Sequence, residues 1–322
     1  MGRCVSTTRG GSGMSHSLIR FLTREEIIDD RWNNVMASAG HTNIYAYTWY
    51  LDAVSPDWCA LVEGDYQAVM PLPCRSKFFI HYVFTPPYCQ QLGIFAMDPI
   101  NDSQIKRFLS AIPKKFRYID LNLNVANAIS DTSISVESKR NLVLPLGSEV
   151  DMIRKSYSNN HKRNIRKAID AGVTIHADGD LATIIRFFEK GRGGRLGHYP
   201  DRGHAVFKKL CEAVARHARV SIWMAHDKMG NPCGGAVFFE TGQGAYFIFS
   251  GVSNEGRTLS VMHLLVDTFI HDAVGRLQFL DFEGSNDSDL ARFYSGFGAA
   301  ECLYLHITIN RLPTIIRWAK NN

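Results

Sequence analysis

The most informative part of this chain is residues 277–299, which read Leu-Gln-Phe-Leu-Asp-Phe-Glu-Gly-Ser-Asn-Asp-Ser-Asp-Leu-Ala-Arg-Phe-Tyr-Ser-Gly-Phe-Gly-Ala. Residues 277–282 are mostly apolar and predict a short buried strand with carboxylates at its end, Asp281 and Glu283. After a polar break, apolar residues recur at helical spacing as far as Phe297, and Gly298 closes the pattern. The segment therefore predicts a strand, a polar crossover and a short helix that carries Tyr294.

The two carboxylates suggest proton transfer. Asp281 and Glu283 are two residues apart on one strand, so we expect them to face the same side of the sheet. A carboxylate at the end of a strand can accept a proton from an incoming amine, directly or through a water, and Glu283 is the candidate. Asp281 is the candidate for binding substrate or for orienting a neighbouring amide or hydroxyl. The alternative is that the pair caps the helix that begins at Ser288 and satisfies local amides.

The strand, crossover and helix resemble the last βα segment of the GNAT acyltransferases. That family has Asn, then Ala, then Tyr shortly before Gly-Phe, and Asn286, Ala291, Tyr294 and residues 296–297 fill the pattern. The resemblance implies that Tyr294 lies beside the sulfur of acyl-CoA and protonates the leaving thiolate, and it places Asn286 at the cofactor. On composition alone, the alternative for Tyr294 is a buried aromatic ring with a satisfied hydroxyl.

A second passage narrows the family. Residues 156–173 read Ser-Tyr-Ser-Asn-Asn-His-Lys-Arg-Asn-Ile-Arg-Lys-Ala-Ile-Asp-Ala-Gly-Val. They resemble the basic helix that opens the second domain of the Fem-type aminoacyltransferases and their tandem-GNAT relatives. The resemblance is good over residues 140–310 and looser over residues 40–125. It implies an α/β fold with mixed sheets, organised as two tandem GNAT-like (acyl-CoA N-acyltransferase) domains.

Length and composition agree with two domains. The chain has 322 residues, of which 45% are hydrophobic, enough for two cores. Its net charge of +5 is less basic than most DNA-binding domains, so no DNA partner is expected. The seven cysteines are scattered, which indicates free thiols in a reducing compartment, and the twelve histidines have no metal-binding spacing. This spacing predicts no metal site. Because no apolar run approaches ~18 residues, we expect a cytoplasmic protein without a membrane span.

The chain divides into three parts in this interpretation. Residues 1–14 are expected to be a disordered leader, residues 15–130 an N-terminal GNAT-like domain and residues 140–322 a C-terminal GNAT domain with the donor site. The polar, turn-rich residues 127–139 contain the predicted boundary. We expect each half to form its own mixed sheet with helices on both faces. A strand at residues 141–145 and a basic helix at residues 155–167 open the second half.

The donor site is predicted at residues 253–260, between a strand that ends near Val252 and a long helix over residues 259–274. Backbone amides at a helix start can hold a pyrophosphate, here with help from Arg257. Leu259 and Val261 stand where the GNAT loop typically has small residues, and Fem-type enzymes also lack the usual loop. An aminoacyl-tRNA donor therefore stays open. The cofactor-binding candidates are Val252, Arg257, Thr258, Leu259, Ser260 and Asn286.

The sequence gives weaker evidence for an acceptor site than for the donor site. On the basic helix, with Ile165 and Ile169 on the inner face, Arg163 and Arg166 belong to one cationic stripe that could bind a phosphate-rich ligand. A solvated basic face is the alternative. The glycine-rich residues 191–198 could form a lid whose Arg195 reaches an anionic group.

The function expected from these patterns is acyl transfer. Acetyl-CoA or another acyl-CoA would donate to an amine or hydroxyl of a small molecule or peptide, bound in the cleft between the halves. One alternative is a Fem-like transferase that uses aminoacyl-tRNA on a cell-wall precursor, although the long heptad arm of the Fem ligases is not visible. Another is a non-catalytic, ligand-sensing GNAT pair.

Overall fold

The structure is a computed structural model that describes residues 17–41, 43–130, 134–193, 201–283 and 286–313. The predicted leader, residues 1–14, lies outside the described residues. The described chain is a mixed α/β fold, as the sequence predicts. No helix in the described ranges is both long and apolar enough to cross a membrane.

The first half alternates short helices with strands. Its elements are β1 Ile19–Leu22, α1 Asp29–Ser38, α2 Thr48–Val54, β2 Cys59–Glu63, β3 Ala68–Leu72, β4 Cys74–Lys77, β5 Ile80–Phe84, β6 Phe95–Ala96, α3 Asp102–Ala111 and β7 Phe116–Asn122. Before α1, Thr23 caps a short 3-10 turn, Arg24–Glu26, through a capping box with Glu26.

The second half is longer. Its elements are β8 Ser135–Pro145, α4 Val150–Ser156, α5 Asn159–Asp170, β9 Thr174–His176, α6 Leu181–Phe188, α7 Asp201–Ala215, β10 Arg219–His226, β11 Pro232–Glu240, β12 Gly244–Val252, α8 Asn254–Leu259, α9 Val261–Ala273, β13 Phe279–Asp281, α10 Ser288–Ser295 and β14 Ala300–Asn310.

The strands do not form one separate sheet per half, so that expectation is wrong. Among the described residues, β1, β2, β3 and β6 form a four-stranded sheet, and the others form a ten-stranded sheet in the order β4-β5-β7-β14-β8-β13-β12-β11-β10-β9. The first half therefore contributes β4, β5 and β7 to the sheet of the second half. The physical reason is β14, which lies between β7 and β8 and pairs antiparallel with both.

A repeated arrangement nevertheless relates the two halves. In the first half β5 pairs with β7 in parallel, across the α3 crossover. In the second half β12 pairs with β13 in parallel, across α8 and α9. Each half thus has an antiparallel strand pair followed by a helical crossover to a parallel strand, the pattern expected of two tandem copies of one fold.

The start of the second half also differs from the prediction. Strand β8 begins at Ser135, inside the polar segment assigned to the boundary. Ser135 pairs with Thr308, and Lys139 pairs with Tyr304. Residues 135–138 are exposed, so this part of the strand is stabilised by pairing with a distant segment of the chain, not by burial of its own side chains. The domain boundary stays a prediction.

The basic helix is interrupted. Helix α4 ends at Ser156, and Ser158 begins α5 by accepting a hydrogen bond from the amide of His161. His161 and Ala168 are buried and Ile165 is partly buried, whereas Ile169 is 55% exposed, so its predicted place on the inner face is wrong. The inner positions 161, 165 and 168 follow helical spacing, which turns position 169 towards solvent.

Two apolar cores lie on opposite faces of the second-half sheet. One contains residues of α5, α9 and α10, including Ala168, Leu265 and Tyr294. The other joins the first half to α6 and α7, where Tyr88 stacks on Phe207 with ring centroids 4.8 Å apart. Because this second core is continuous between the halves, we expect the halves to unfold together.

Substitution of Ile307 by Ala tests this coupling. Ile307 of β14 is fully buried and pairs with Leu121 of β7, so its loss should cost about 2–4 kcal/mol of unfolding free energy. Hydrogen exchange followed by mass spectrometry should show faster exchange in both β7 and β13. Val136→Ala is the control. Val136 of β8 also pairs with Ile307 but is 37% exposed, so its substitution should change stability by less than about 0.5 kcal/mol. Faster exchange confined to one half would contradict the coupling.

Candidate active site

The candidate site lies where β12 and β13 separate. Their parallel pairing covers Gly244 to Tyr246 and Phe279 to Asp281. β13 ends there, while β12 continues to Val252. A β-bulge at Ile248, the residue left unpaired as the register with β11 shifts, bends β12 at this point. The two strands therefore diverge at their carboxyl ends, and the divergence begins beside Tyr246 and Asp281.

Asp281 and Glu283 both lie at this divergence. Asp281 is 7% exposed and accepts two hydrogen bonds, from Asn141 Nδ2 at 2.9 Å and from the Glu283 amide at 2.9 Å. Both of its oxygens therefore have internal donors. This arrangement matches the interpretation in which Asp281 orients an amide. Neither carboxylate caps the next helix, because Asp287 accepts from the first amides of α10.

Glu283 has an unusual backbone. Its φ is +48°, in the left-handed region that side chains other than Gly, Asn and Asp rarely adopt. The hydrogen bond from the Glu283 amide to Asp281 stabilises this turn. As a result Glu283 leaves the strand direction, and its Oε1 accepts a hydrogen bond from the hydroxyl of Tyr45, which comes from the first half.

A buried polar chain continues from Asp281 into the first half. Asn141 Oδ1 accepts from Gln90 Nε2 at 3.2 Å, and Gln90 Oε1 accepts from Gln91 Nε2 at 2.8 Å. Gln90, Gln91 and Asn141 are each buried. Buried polar side chains of this kind need such partners, so the chain fixes the orientation of Asp281 across the two halves.

Burial changes the protonation of both carboxyls. Desolvation raises the pKa of Asp281 to about 6, although its bonds from the Glu283 amide and Asn141 act in the opposite direction. The pKa of Glu283 is raised well above its usual range, first by desolvation and then by the charge of Asp281. The hydrogen bond from Tyr45 opposes this shift. A carboxyl with a raised pKa can exchange protons near neutral pH, as a general base or acid must.

Tyr294 lies on the other side of the sheet. Its ring stacks on Phe282 with centroids 4.6 Å apart and contacts Phe247 edge to face at 5.9 Å. Phe282 points away from the Asp281 side because successive strand residues alternate. The structure thus places Tyr294 and Glu283 near the same divergence of β12 and β13, but on opposite faces of the sheet.

Residues 253–260 are a short helix and not an open loop. The Ser253 side chain accepts from the Gly256 amide at 2.9 Å, and the amides of Arg257 and Ser260 bond inside the turn. Thr258 is exposed and donates to the Asn254 carbonyl. These internal bonds occupy several of the amides that were expected to hold a phosphate.

The remaining cofactor candidates surround this helix. Ser260 has a φ of +61° and forms the corner between α8 and α9, and its hydroxyl donates to Asn164 Oδ1 at 3.4 Å. Val252 and Leu259 are partly buried against the core. Arg257 is exposed, and its guanidinium lies close enough to Gly191 to leave no room for a Cβ there.

The other predicted ligand-binding residues are scattered. Arg163 bonds to Asn160 within α5, and Arg166 lies 3.8 Å from Asp170 on the exposed face of that helix. Asn286 accepts from the Arg140 amide and donates to the Tyr304 hydroxyl, which ties it to β8 and β14. Arg195 lies outside the described residues.

The sequence interpretation missed Tyr45 and Asn141 as site residues. Tyr45 lies in a segment crowded with aromatic residues, a pattern that indicates packing. No local signal links it to Glu283, 238 residues away in the chain. Asn141 gave a usable signal, since it begins the apolar run over residues 141–145 and an amide side chain buried there needs a partner.

His161 was also missed, and it joins the two passages that carry the family resemblance. Its Nε2 lies 2.7 Å from the Phe293 carbonyl, which can only accept, so Nε2 carries the proton. Its Nδ1 faces the Ser158 hydroxyl at 3.0 Å. The imidazole also leaves no room for a side chain at Gly296. His161 therefore fixes the end of α10 on the start of α5.

A metal site is not indicated. Within the ranges that the structure covers, no three His, Cys, Asp or Glu side chains are grouped so as to hold a metal ion.

Comparison with known proteins agrees with this architecture. Residues 155–289 match the family described as "Acetyltransferase (GNAT) domain". Among solved structures, the chain is similar to FemX, with a TM-score of 0.64, 12% identity and coverage of 91% of this chain and 98% of FemX. Identity at this level supports the fold alone.

Two further structures share the fold. One is a tandem GNAT protein from the clavulanic acid biosynthesis pathway, with a TM-score of 0.56, 11% identity and coverage of 92% of this chain and all of that one. The other is a conserved protein of unknown function from Bacteroides thetaiotaomicron, with a TM-score of 0.59, 8% identity and coverage of 90% and 99%. A comparison with curated proteins finds no match.

Proposed function

We propose that this chain is a tandem GNAT-fold acyltransferase, related to the Fem-type proteins, that moves an acyl group from acyl-CoA to an amine or hydroxyl acceptor. The observation that carries the proposal is the divergence of β12 and β13 with a carboxyl of raised pKa on one face and a tyrosine on the other.

The donor would enter between the diverging strands. Residues 247–252 of β12 lie beyond the end of β13, so their backbone can bind an extended chain such as pantetheine. The thioester would then lie near Tyr246 and Asp281, and the pyrophosphate near residues 253–260. Arg257 is the exposed cation in that segment.

In the proposed chemistry, Glu283 takes the proton from the attacking amine or hydroxyl. Tyr45 positions its carboxylate through the hydroxyl hydrogen bond, and Asp281 holds its backbone amide. The Tyr294 hydroxyl protonates the departing thiolate from the opposite face of the strand pair. A proton acceptor and a proton donor on opposite sides of the thioester would not exchange protons directly with each other.

The acceptor would approach from the side of the first half, because Tyr45 and the chain of amides from Gln90 lie there. A small molecule or a peptide with a free amine or hydroxyl is the class we propose. Arg163 and Arg166 stay candidates for holding an anionic part of it, and Arg195 stays a prediction.

Donor binding is tested by thermal shift of the purified protein with acetyl-CoA, longer acyl-CoAs and, separately, charged tRNA. We expect stabilisation by an acyl-CoA, with Arg257→Ala weakening binding by about 1 kcal/mol, the scale of one solvated charge-assisted contact. Arg292→Ala, which removes an exposed arginine from α10, is the matched control. A response to charged tRNA alone would instead favour the Fem-like reaction. The internal hydrogen bonds of residues 253–260 agree with that reaction too, because they leave fewer amides for a pyrophosphate.

A further inference from the structure

The β4–β5 hairpin carries two exposed phenylalanines at its tip. Lys77 pairs with Ile80, so Phe78 and Phe79 form a two-residue turn. Their φ angles are +49° and +63°, as a type I′ turn requires at both central positions. Their side chains are 82% and 101% exposed.

This turn contradicts ordinary turn chemistry. Type I′ turns strongly prefer Asn-Gly or a similar pair, because bulky residues with positive φ are genuine outliers. Phe78 and Phe79 adopt this strained backbone and also expose both rings. Neither turn geometry nor packing of the described chain therefore explains why two phenylalanines stand at these positions. Strained, exposed positions of this kind are typical of binding elements.

Basic residues surround the tip. Lys77 lies on the hairpin itself and is exposed, whereas the guanidinium of Arg75 lies 4.5 Å from the centroid of the Phe84 ring, away from the tip. Lys114 precedes β7, which is parallel to β5, and His81 pairs with Phe116, so exposed Lys114 is level with the tip. Lys115 follows it, but its ammonium lies over the Phe21 ring, 4.6 Å from the centroid. Residues 74–84 and 112–117 contain no Asp or Glu.

We propose that Phe78 and Phe79 insert into the interfacial layer of an anionic lipid bilayer, with Lys77 and Lys114 on the lipid headgroups. Aromatic side chains are enriched at the membrane interface, and clustered Lys and Arg bind anionic leaflets. A two-residue tip is too small for a stable protein interface, which buries about 800 Å² on each partner. A narrow tip can nevertheless enter lipid.

This contact would be peripheral and would not need a helix that crosses the bilayer. The hairpin is at the edge of the ten-stranded sheet, away from the β12–β13 divergence in the strand order. Membrane binding and acyl transfer can therefore be tested separately, and failure of one leaves the other intact.

The test is flotation of the full-length chain with vesicles of phosphatidylcholine alone and of phosphatidylcholine and phosphatidylglycerol in equal parts. We expect binding to the anionic vesicles, weakened by added salt. The double variant Phe78→Asn, Phe79→Gly supplies the preferred I′ residues, so it should keep or raise the melting temperature while losing at least about tenfold in vesicle affinity.

A second variant, Lys77→Gln with Lys114→Gln, keeps both rings and should lose affinity for anionic vesicles only. Equal binding by the wild type and the Asn-Gly double variant would overturn the proposal. Failure of the wild type to bind either vesicle would overturn it as well, and would leave an acidic protein surface as the partner to examine.

Discussion

Substitution of Glu283 by Gln is expected to lower turnover by about 10²–10⁴-fold while acyl-CoA binding changes little. Gln keeps the shape of the side chain and can accept the hydrogen bond from Tyr45, but it cannot accept a proton. Steady-state kinetics on any productive acceptor, with acyl-CoA affinity measured separately by titration calorimetry, check both parts. A variant that folds normally and keeps more than about a third of the wild-type turnover would exclude Glu283 as the base.

The same assignment fixes the direction of the pH dependence. A general base must be ionised, so activity should rise with pH through the pKa of Glu283, which is raised above the usual range of a glutamate. Asp281→Asn removes a negative charge that raises this pKa, so the acid limb of the profile should move to lower pH. Tyr45→Phe removes a hydrogen bond that lowers it, so the limb should move to higher pH.

Opposite shifts from the two variants would be difficult to obtain from a general loss of structure. If neither variant moves the acid limb, the residue that titrates in the profile is not Glu283. Tyr82→Phe, another removal of a single hydroxyl but on the distant β5, serves as the control and should leave the profile unchanged.

The second large effect is expected on stability, from Gly251→Ala. A Cβ at this position would lie 2.2 Å from the carbonyl oxygen of Ile184 and 2.8 Å from the amide nitrogen of Phe188, because α6 packs directly on the backbone of β12. Backbone atoms cannot turn aside as a side chain can, so α6 must move. We expect a loss of roughly 2–4 kcal/mol in unfolding free energy, measured by urea denaturation.

Gly147→Ala is the matched control, since no atom lies within 4 Å of the added Cβ and the residue has no positive φ. It should be within about 0.5 kcal/mol of the wild type. A cost below about 1 kcal/mol for Gly251→Ala would mean that α6 does not lie this close to β12.

Local pattern predicts much of this fold. The β2–β3 hairpin, the meander β10 to β12, the long helix α9 and the short helix α10 follow from periodicity and turn residues. The position of β14 between β7 and β8 does not follow from local pattern, because this pairing depends on contacts between segments that are far apart in the chain. The exposed beginning of β8 depends on the same pairing, and its polar residues predict a linker.

The candidate site divides in the same way. Glu283 and Tyr294 are recognised from one short passage, Glu283 because it follows the end of a strand and Tyr294 because the passage resembles the last βα segment of the GNAT acyltransferases. Their placement on opposite faces follows because side chains alternate along a strand, so Phe282 and the Tyr294 ring stacked on it lie on the face opposite Asp281. The left-handed backbone of Glu283 has no signal in the sequence. Tyr45 and Gln90 belong to the site only because the two halves pack together, and that contact has no local signature.

The position of β14 has a consequence for synthesis of the protein. During translation β7 emerges early, after its neighbour β5. Its other neighbour in the sheet, β14, is made only after residues 123–299 have been added. At ~5–20 residues per second this takes roughly 10–40 s. For that time β7 presents an unpaired strand edge on the nascent chain, the kind of edge that pairs with other chains. We therefore expect the nascent chain to need chaperones mainly before β14 leaves the ribosome.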